Sequence, residues 1–147
     1  MAHFQTKEFE SLVDSLGNDI GTSKSARVIV PVSHIYLEYL MNLLLEKTIE
    51  PEEFVNIQND RYFGFKKKLD RLNKMGKLSA DEYHDLDLIN DTRNDFMHEF
   101  KPDLEIIHKR IMKMKFHIYN DKANPLKAII DDILSIMMFL EQKIINA

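Results

Sequence analysis

The sequence reads as an all-α protein, an up-and-down bundle of six or seven helices in a single domain over residues 1–147, and three observations predict this. Apolar residues recur at steps of three and four along most of the chain, and no segment alternates long enough to make a strand. Only four Gly and four Pro punctuate 147 residues, too few for the turns of a sandwich or barrel. A composition that is 44% hydrophobic and 30% charged supplies a core, so disorder and collagen-like repeats are excluded.

Each element follows from local chemistry. Phe4, Leu12, Val13 and Leu16 outline a first helix that should stop at Gly17-Asn18. Gly21-Thr22-Ser23 is a linker carrying a capping residue, and a central helix then runs from about Ser25 to Lys47, with Pro31 in an early turn or at a kink. Pro51 followed by Glu52 and Glu53 marks the start of a short helix to about Asn59, because proline suits a first helical position and acids suit a helix N-terminus. A fourth helix, Arg61 to Met75, ends at Gly76. Ser79 with Glu82 three residues on forms a capping box, so a fifth helix opens at Ala80 and runs to about Glu99, ahead of Pro102. Asp103 can cap a sixth helix to about Phe116, with Leu104, Ile107, Ile111 and Met114 on one face. His117 to Asn124 is polar and reads as a loop. Pro125 opens a last helix to about Ile145, built on Leu126, Ile129, Ile130, Ile133, Met137 and Leu140. Met112, Met114, Met137 and Met138 read as core filler.

Composition narrows the function classes. Without Cys there can be no disulfide framework, thiolate zinc site or cysteine nucleophile. Twenty Lys plus Arg against 24 Asp plus Glu leave a formal charge of −4, so any contact with nucleic acid must use a local basic patch. The stretch from Val28 to Leu45 is apolar but carries Ser33, His34, Glu38 and Asn42, whose polar groups are costly in lipid. It reads as a buried helix, and the first residues do not read as a secretory signal, so a cytoplasmic protein without membrane contact is expected. His34 and Glu38 are one turn apart, but no third ligand is suggested, so neither a metal nor a cofactor is expected.

The informative residues lie on the fifth helix. Leu86, Ile89, Arg93, Phe96 and Phe100 share one stripe, which puts a guanidinium on a packing face. Such a group needs an acid or an anion as partner. Glu38 is the candidate acid, because His34, Glu38 and Asn42 form the one polar line of the central helix. That pairing could be purely structural, or Arg93 could bind a ligand. His98 lies five residues after Arg93, about 140° around the helix, in a last turn whose dipole favours a protonated imidazole. The two could share a substrate if Arg93 reaches outward or if two copies pool their groups.

Arg93-Asn94-Asp95-Phe96-Met97-His98 matches the R-N-x-x-x-H form of the R-x4-6-H motif, and in this the chain resembles HEPN domains. Phe65-Lys66-Lys67-Lys68-Leu69, the Lys74-to-Leu78 turn, Tyr83 and Leu86 look like the branch that holds the mannitol operon repressor family. The resemblance covers residues 61–100 best and implies an all-α homodimer. It further implies metal-independent RNA cleavage, with a 2′-hydroxyl attacking the adjacent phosphate in a cleft shared by two motifs. On that model His98 moves the proton of the attacking or leaving oxygen, and Arg93 holds the phosphate. Asn94 orients His98 or the phosphate, with Glu38 and Asp95 in supporting positions. Toxin–antitoxin, phage-defence and RNA-processing roles follow, with an antitoxin or regulatory protein as an additional partner. One departure is visible: acids crowd the motif, including Asp87, Asp91, Asp95 and Glu99. Relatives in the repressor branch often lack a complete motif, so membership in it does not by itself imply activity.

Lys66, Lys67, Lys68 and Arg71 head the strongest basic run, either a solvated helix face or an RNA-backbone track with Tyr62, Phe63 and Phe65 available for stacking. The alternative to an RNA-directed protein is a non-catalytic transcriptional regulator or protein-interaction module.

Overall fold

A computed structural model describes residues 6–98, 106–107, 110–116 and 125–147. Among these residues every regular element is helical: α1 Lys7–Ile20, α2 Ala26–Thr48, α3 Pro51–Asn59, α4 Phe65–Lys74, α5 Ala80–His98 and α6 Pro125–Ile145. The all-α bundle expected from the sequence is therefore present. Phe4, Glu99, Phe100, Leu104 and the loop expected over His117 to Asn124 lie outside the described residues.

The helix starts follow the expected chemistry. Ser25 accepts from the Arg27 backbone N–H at the head of α2, and Pro51 opens α3 with Glu52 and Glu53 in its first turn. At α5 the capping box closes in both directions: Glu82 N–H donates to Ser79 Oγ at 3.1 Å, and Ser79 N–H donates to Glu82 Oε1 at 2.8 Å.

Three boundaries differ from expectation, each for a local reason. The first helix passes through Gly17 and ends at Gly21, whose φ of 60° supplies the left-handed residue that a helix terminus needs. The fourth helix starts at Phe65 rather than Arg61, because Asp60 holds the chain in a turn by accepting from Tyr62 N–H through its side chain and from Phe63 N–H through its carbonyl. Its other end is a Schellman closure: Gly76 has φ 70°, Lys77 N–H donates to Leu72 O and Gly76 N–H to Asn73 O. The sixth expected helix is shortened. Ile106, Ile107, Arg110 and Ile111 are helical, but the chain then turns. Asp85 Oδ2 accepts from the N–H groups of Lys115 and Phe116, and Asp132 Oδ1 accepts from Phe116 N–H, which draws this strand of backbone against α5 and α6.

The organising element is α2, which packs on α1, α3, α4, α5 and α6, most extensively on α6. Leu37, Leu40, Met41 and Leu45 are fully buried along it, facing Leu69 and Leu72 of α4, Leu86 and Ile89 of α5, and Ile129, Ile136 and Met137 of α6. By length and composition α2 could cross a membrane, yet half of its most apolar window is buried inside the bundle. Of the methionines expected in the core, Met114 and Met137 are buried, while Met112 is exposed.

Candidate functional site: a cationic groove between α2, α4 and α5

The polar line of α2 does meet a polar residue of α5, though through His34 and Asn90 rather than Glu38 and Arg93. His34 of α2 is buried, and its Nε2 lies 3.0 Å from Asn90 Oδ1 of α5. The ring stacks on Phe65 at 3.9 Å between centroids, so α2, α4 and α5 all fix its position. An amide oxygen can only accept, so Nε2 carries the proton of the neutral ring and Nδ1 is left as its basic nitrogen. Beside this pair opens a groove of about 530 Å³, lined by His34, Glu38, Asn90, Arg93 and Asn94, by Lys66 and Lys67, and by Tyr62, Gly64 and Phe65. Its volume lies within the range of small-ligand sites.

Arg93 is half-buried in this groove, and the acid expected to neutralise it does not do so. Glu38 pairs instead with Lys68, Oε1 to Nζ at 3.0 Å. Lys68 is buried and lies thirty residues away in the chain, so this ammonium has the stronger need of a carboxylate than a guanidinium that can reach solvent. No described residue forms an ion pair or hydrogen bond with the Arg93 side chain. Its field is nevertheless felt. Burial pulls the His34 imidazole below its ordinary value, the hydrogen bond to Asn90 opposes that, and Arg93 lowers it further while Glu38 raises it.

The basic run divides by role. Burial lowers the affinity of Lys66 for its proton, but hydrogen bonds to Asp87 and Tyr83 and the charges of Asp87 and Asp70 raise it overall. Arg71 is bound to Glu53 at 2.6 Å, and Lys68 to Glu38. Lys67 is exposed, lines the groove and has no ion pair among the described residues. Of the four cations expected to contact RNA, two line the groove, and Lys68 and Arg71 are structural partners of acids. Tyr62 is 69% exposed at the mouth of the groove, with the Arg61 guanidinium stacked over its ring at 4.8 Å. Phe65 is buried and Phe63 half-buried, so of the aromatics named for stacking Tyr62 is the most exposed.

The motif residues separate. Arg93 and Asn94 line the groove, whereas His98 is exposed in the last turn of α5 and takes no part in the lining. Five residues of helix turn the two side chains about 140° apart, as the spacing requires. No side-chain hydrogen bond joins Asn94 to His98 among the described residues; only the helical bond from His98 N–H to the Asn94 carbonyl does. Asp95 is occupied elsewhere, bonded to Arg110 at 2.5 Å, where it ties α5 to the segment that follows. Arg27 donates to Phe96 O at 2.9 Å and lies over the Phe96 ring, so a cation from α2 closes the end of α5. Asn90 is the groove residue the sequence reading missed. Its signal was present: a polar residue three before Arg93, among Leu86, Ile89 and Phe96 on the packing face.

Among the described residues no cluster of three or more His, Asp or Glu side chains could hold a metal. Comparisons with family models, curated proteins and solved structures find no match for this chain.

Proposed function

We propose that the chain is a HEPN-like RNA-binding protein of the cytoplasm, acting as a homodimer, and that its chemistry is metal-independent RNA cleavage by Arg93 and His98. The observation that carries this reading is a guanidinium with no acidic partner among the described residues, in a ligand-sized groove flanked by Lys67 and the amides of Asn90 and Asn94. A phosphodiester satisfies such a guanidinium bidentately, and an exposed tyrosine at the mouth offers a base a stacking surface. Because His98 projects away from the groove of its own chain, the reaction draws the imidazole from a second copy, whose helix end lies beside the first copy's groove. The 2′-oxygen would then attack phosphorus as His98 moves the proton and Arg93 holds the growing charge. Toxin, defence and RNA-processing roles, and a protein antitoxin, fit that chemistry.

The test is direct. Purified protein is incubated with mixed RNA in excess chelator, beside His98→Ala and Arg93→Ala. Cleavage that falls at least about a hundredfold in both variants, the size of effect typical of a lost acid–base group, is the expected result. No cleavage by a folded dimer would favour the second reading, a non-catalytic regulator or interaction module. One observation supports that alternative: Val28, Ile35 and Tyr39 leave an apolar stripe exposed along α2.

A further inference from the structure

The groove contains an imidazole that the R-x4-6-H resemblance does not use. His34 sits on the wall opposite the motif helix, is held by Asn90 and Phe65, and shares the cavity with Arg93 and Lys67. The charged and titratable groups around it are Glu38 on its own helix, Lys66, Lys67 and Lys68 from α4, Arg93 from α5, and Tyr62 at the mouth. Glu38 is neutralised by Lys68, and Lys66 by Asp87 and Asp70, so among the described residues the groove charges left uncompensated are Arg93 and Lys67, both positive. A third positive charge on His34 is therefore opposed by burial and by Arg93.

An anion in the groove reverses that balance. We propose that phosphate binding here is coupled to protonation of His34, so that the groove takes an RNA phosphodiester together with one proton and binds it more tightly in acid. This rests on the reading of the groove as an RNA-phosphate site. The phosphate screens Arg93, and it accepts from an imidazolium whose other nitrogen, Nε2, keeps its bond to Asn90. No covalent step is involved. The proton comes from solvent and returns there when the ligand leaves.

The sign follows from linkage. Burial and Arg93 lower the imidazole's proton affinity in the free protein, and a bound phosphate raises it, so the bound state holds more protons in the interval between the two values. The added affinity is complete below the free protein's value and is lost as pH rises through that of the complex.

The probe is a short single-stranded oligouridine with 2′-O-methyl groups, which has no nucleophile and reports binding apart from cutting. Affinity is measured at about pH 5.5 and about pH 8 for the wild type, His34→Gln and Arg93→Gln, taking a coupling of one pKa unit as about tenfold. The wild type should tighten about tenfold more on acidification than His34→Gln, and the two should bind alike at the higher pH. Arg93→Gln should bind poorly throughout. Equal pH responses in the wild type and His34→Gln overturn the coupling while leaving RNA binding intact. Absence of binding at either pH overturns both. Should His34→Gln fail to fold, the imidazole Cε1–H resonance of His34 in the wild type, titrated with and without the oligonucleotide, decides the matter: the midpoint must move up on binding, and an unmoved midpoint sinks the coupling.

Discussion

Asp85 and Asp132 are both fully buried, and together they accept three backbone hydrogen bonds from Lys115 and Phe116. Two carboxylates cannot both be ionised at such short range without heavy cost, so one proton is shared between them. Burial first, then the hydrogen bond and charge of Asp85, push Asp132 up to about 9, against the opposing pull of Phe116 N–H. Asp132 Oδ2 otherwise lacks a partner, and a proton shared with Asp85 gives it one. Because the folded state holds this proton more tightly than the unfolded chain, this group's contribution to stability is greatest below about pH 4 and is lost as pH rises through about 9. Asp132→Asn keeps a neutral donor and acceptor, so it should flatten that slope and raise the melting temperature near pH 8, by about 2–4 °C for each kcal/mol relieved. Thermal unfolding of both proteins from pH 5 to pH 8 checks this. Parallel curves would mean that no proton is held there.

At the level of single helices, most of the architecture was legible because caps are local. Ser79 with Glu82, and Pro51 with its acids, announce their helices within four residues of chain, and both do what that chemistry predicts. The errors arose where two signals competed. Gly17 and Gly21 can each end a helix, but a helix tolerates glycine in its interior for about 1 kcal/mol relative to alanine, and tertiary packing decides which one closes. Asp60 similarly outcompeted the helical pattern that starts at Arg61. The glycine reading makes a paired prediction. Gly17 is helical and has open space around its Cα, so Gly17→Ala should stabilise by about 0.5–1 kcal/mol. Gly76 also has open space, but at φ 70° an alanine is strained, so Gly76→Ala should destabilise by about 1 kcal/mol or more. Urea denaturation of the two variants gives opposite shifts if the helix boundaries are correct, and same-sign shifts if they are not.

For the whole molecule, charge arrangement matters more than charge total. A formal charge of −4 argues against indiscriminate binding of nucleic acid, yet the groove gathers Arg93 and Lys67 without a compensating acid among the described residues. Two phosphate contacts imply a modest salt dependence for single-stranded RNA, a slope of about −1.4 in log affinity against log salt. Fluorescence anisotropy across a salt series checks it, and a much steeper slope would place the contact on a larger surface than this groove. That Arg93 needed a counter-charge was visible in the sequence, whereas the choice of Lys68 as the partner of Glu38 was not. It depends on how α4 is docked against α2, and no spacing within either helix encodes that pairing.

The placement of α2 also bears on how the chain is made. Its largest interface is with α6, some eighty residues later in synthesis, so the apolar side of α2 lacks its most extensive cover until that helix has arrived. A nascent chain paused short of α6 would carry a greasy rod among loosely collapsed neighbours, so the bundle closes only once α6 is made and leans until then on whatever shields such a surface at the ribosome.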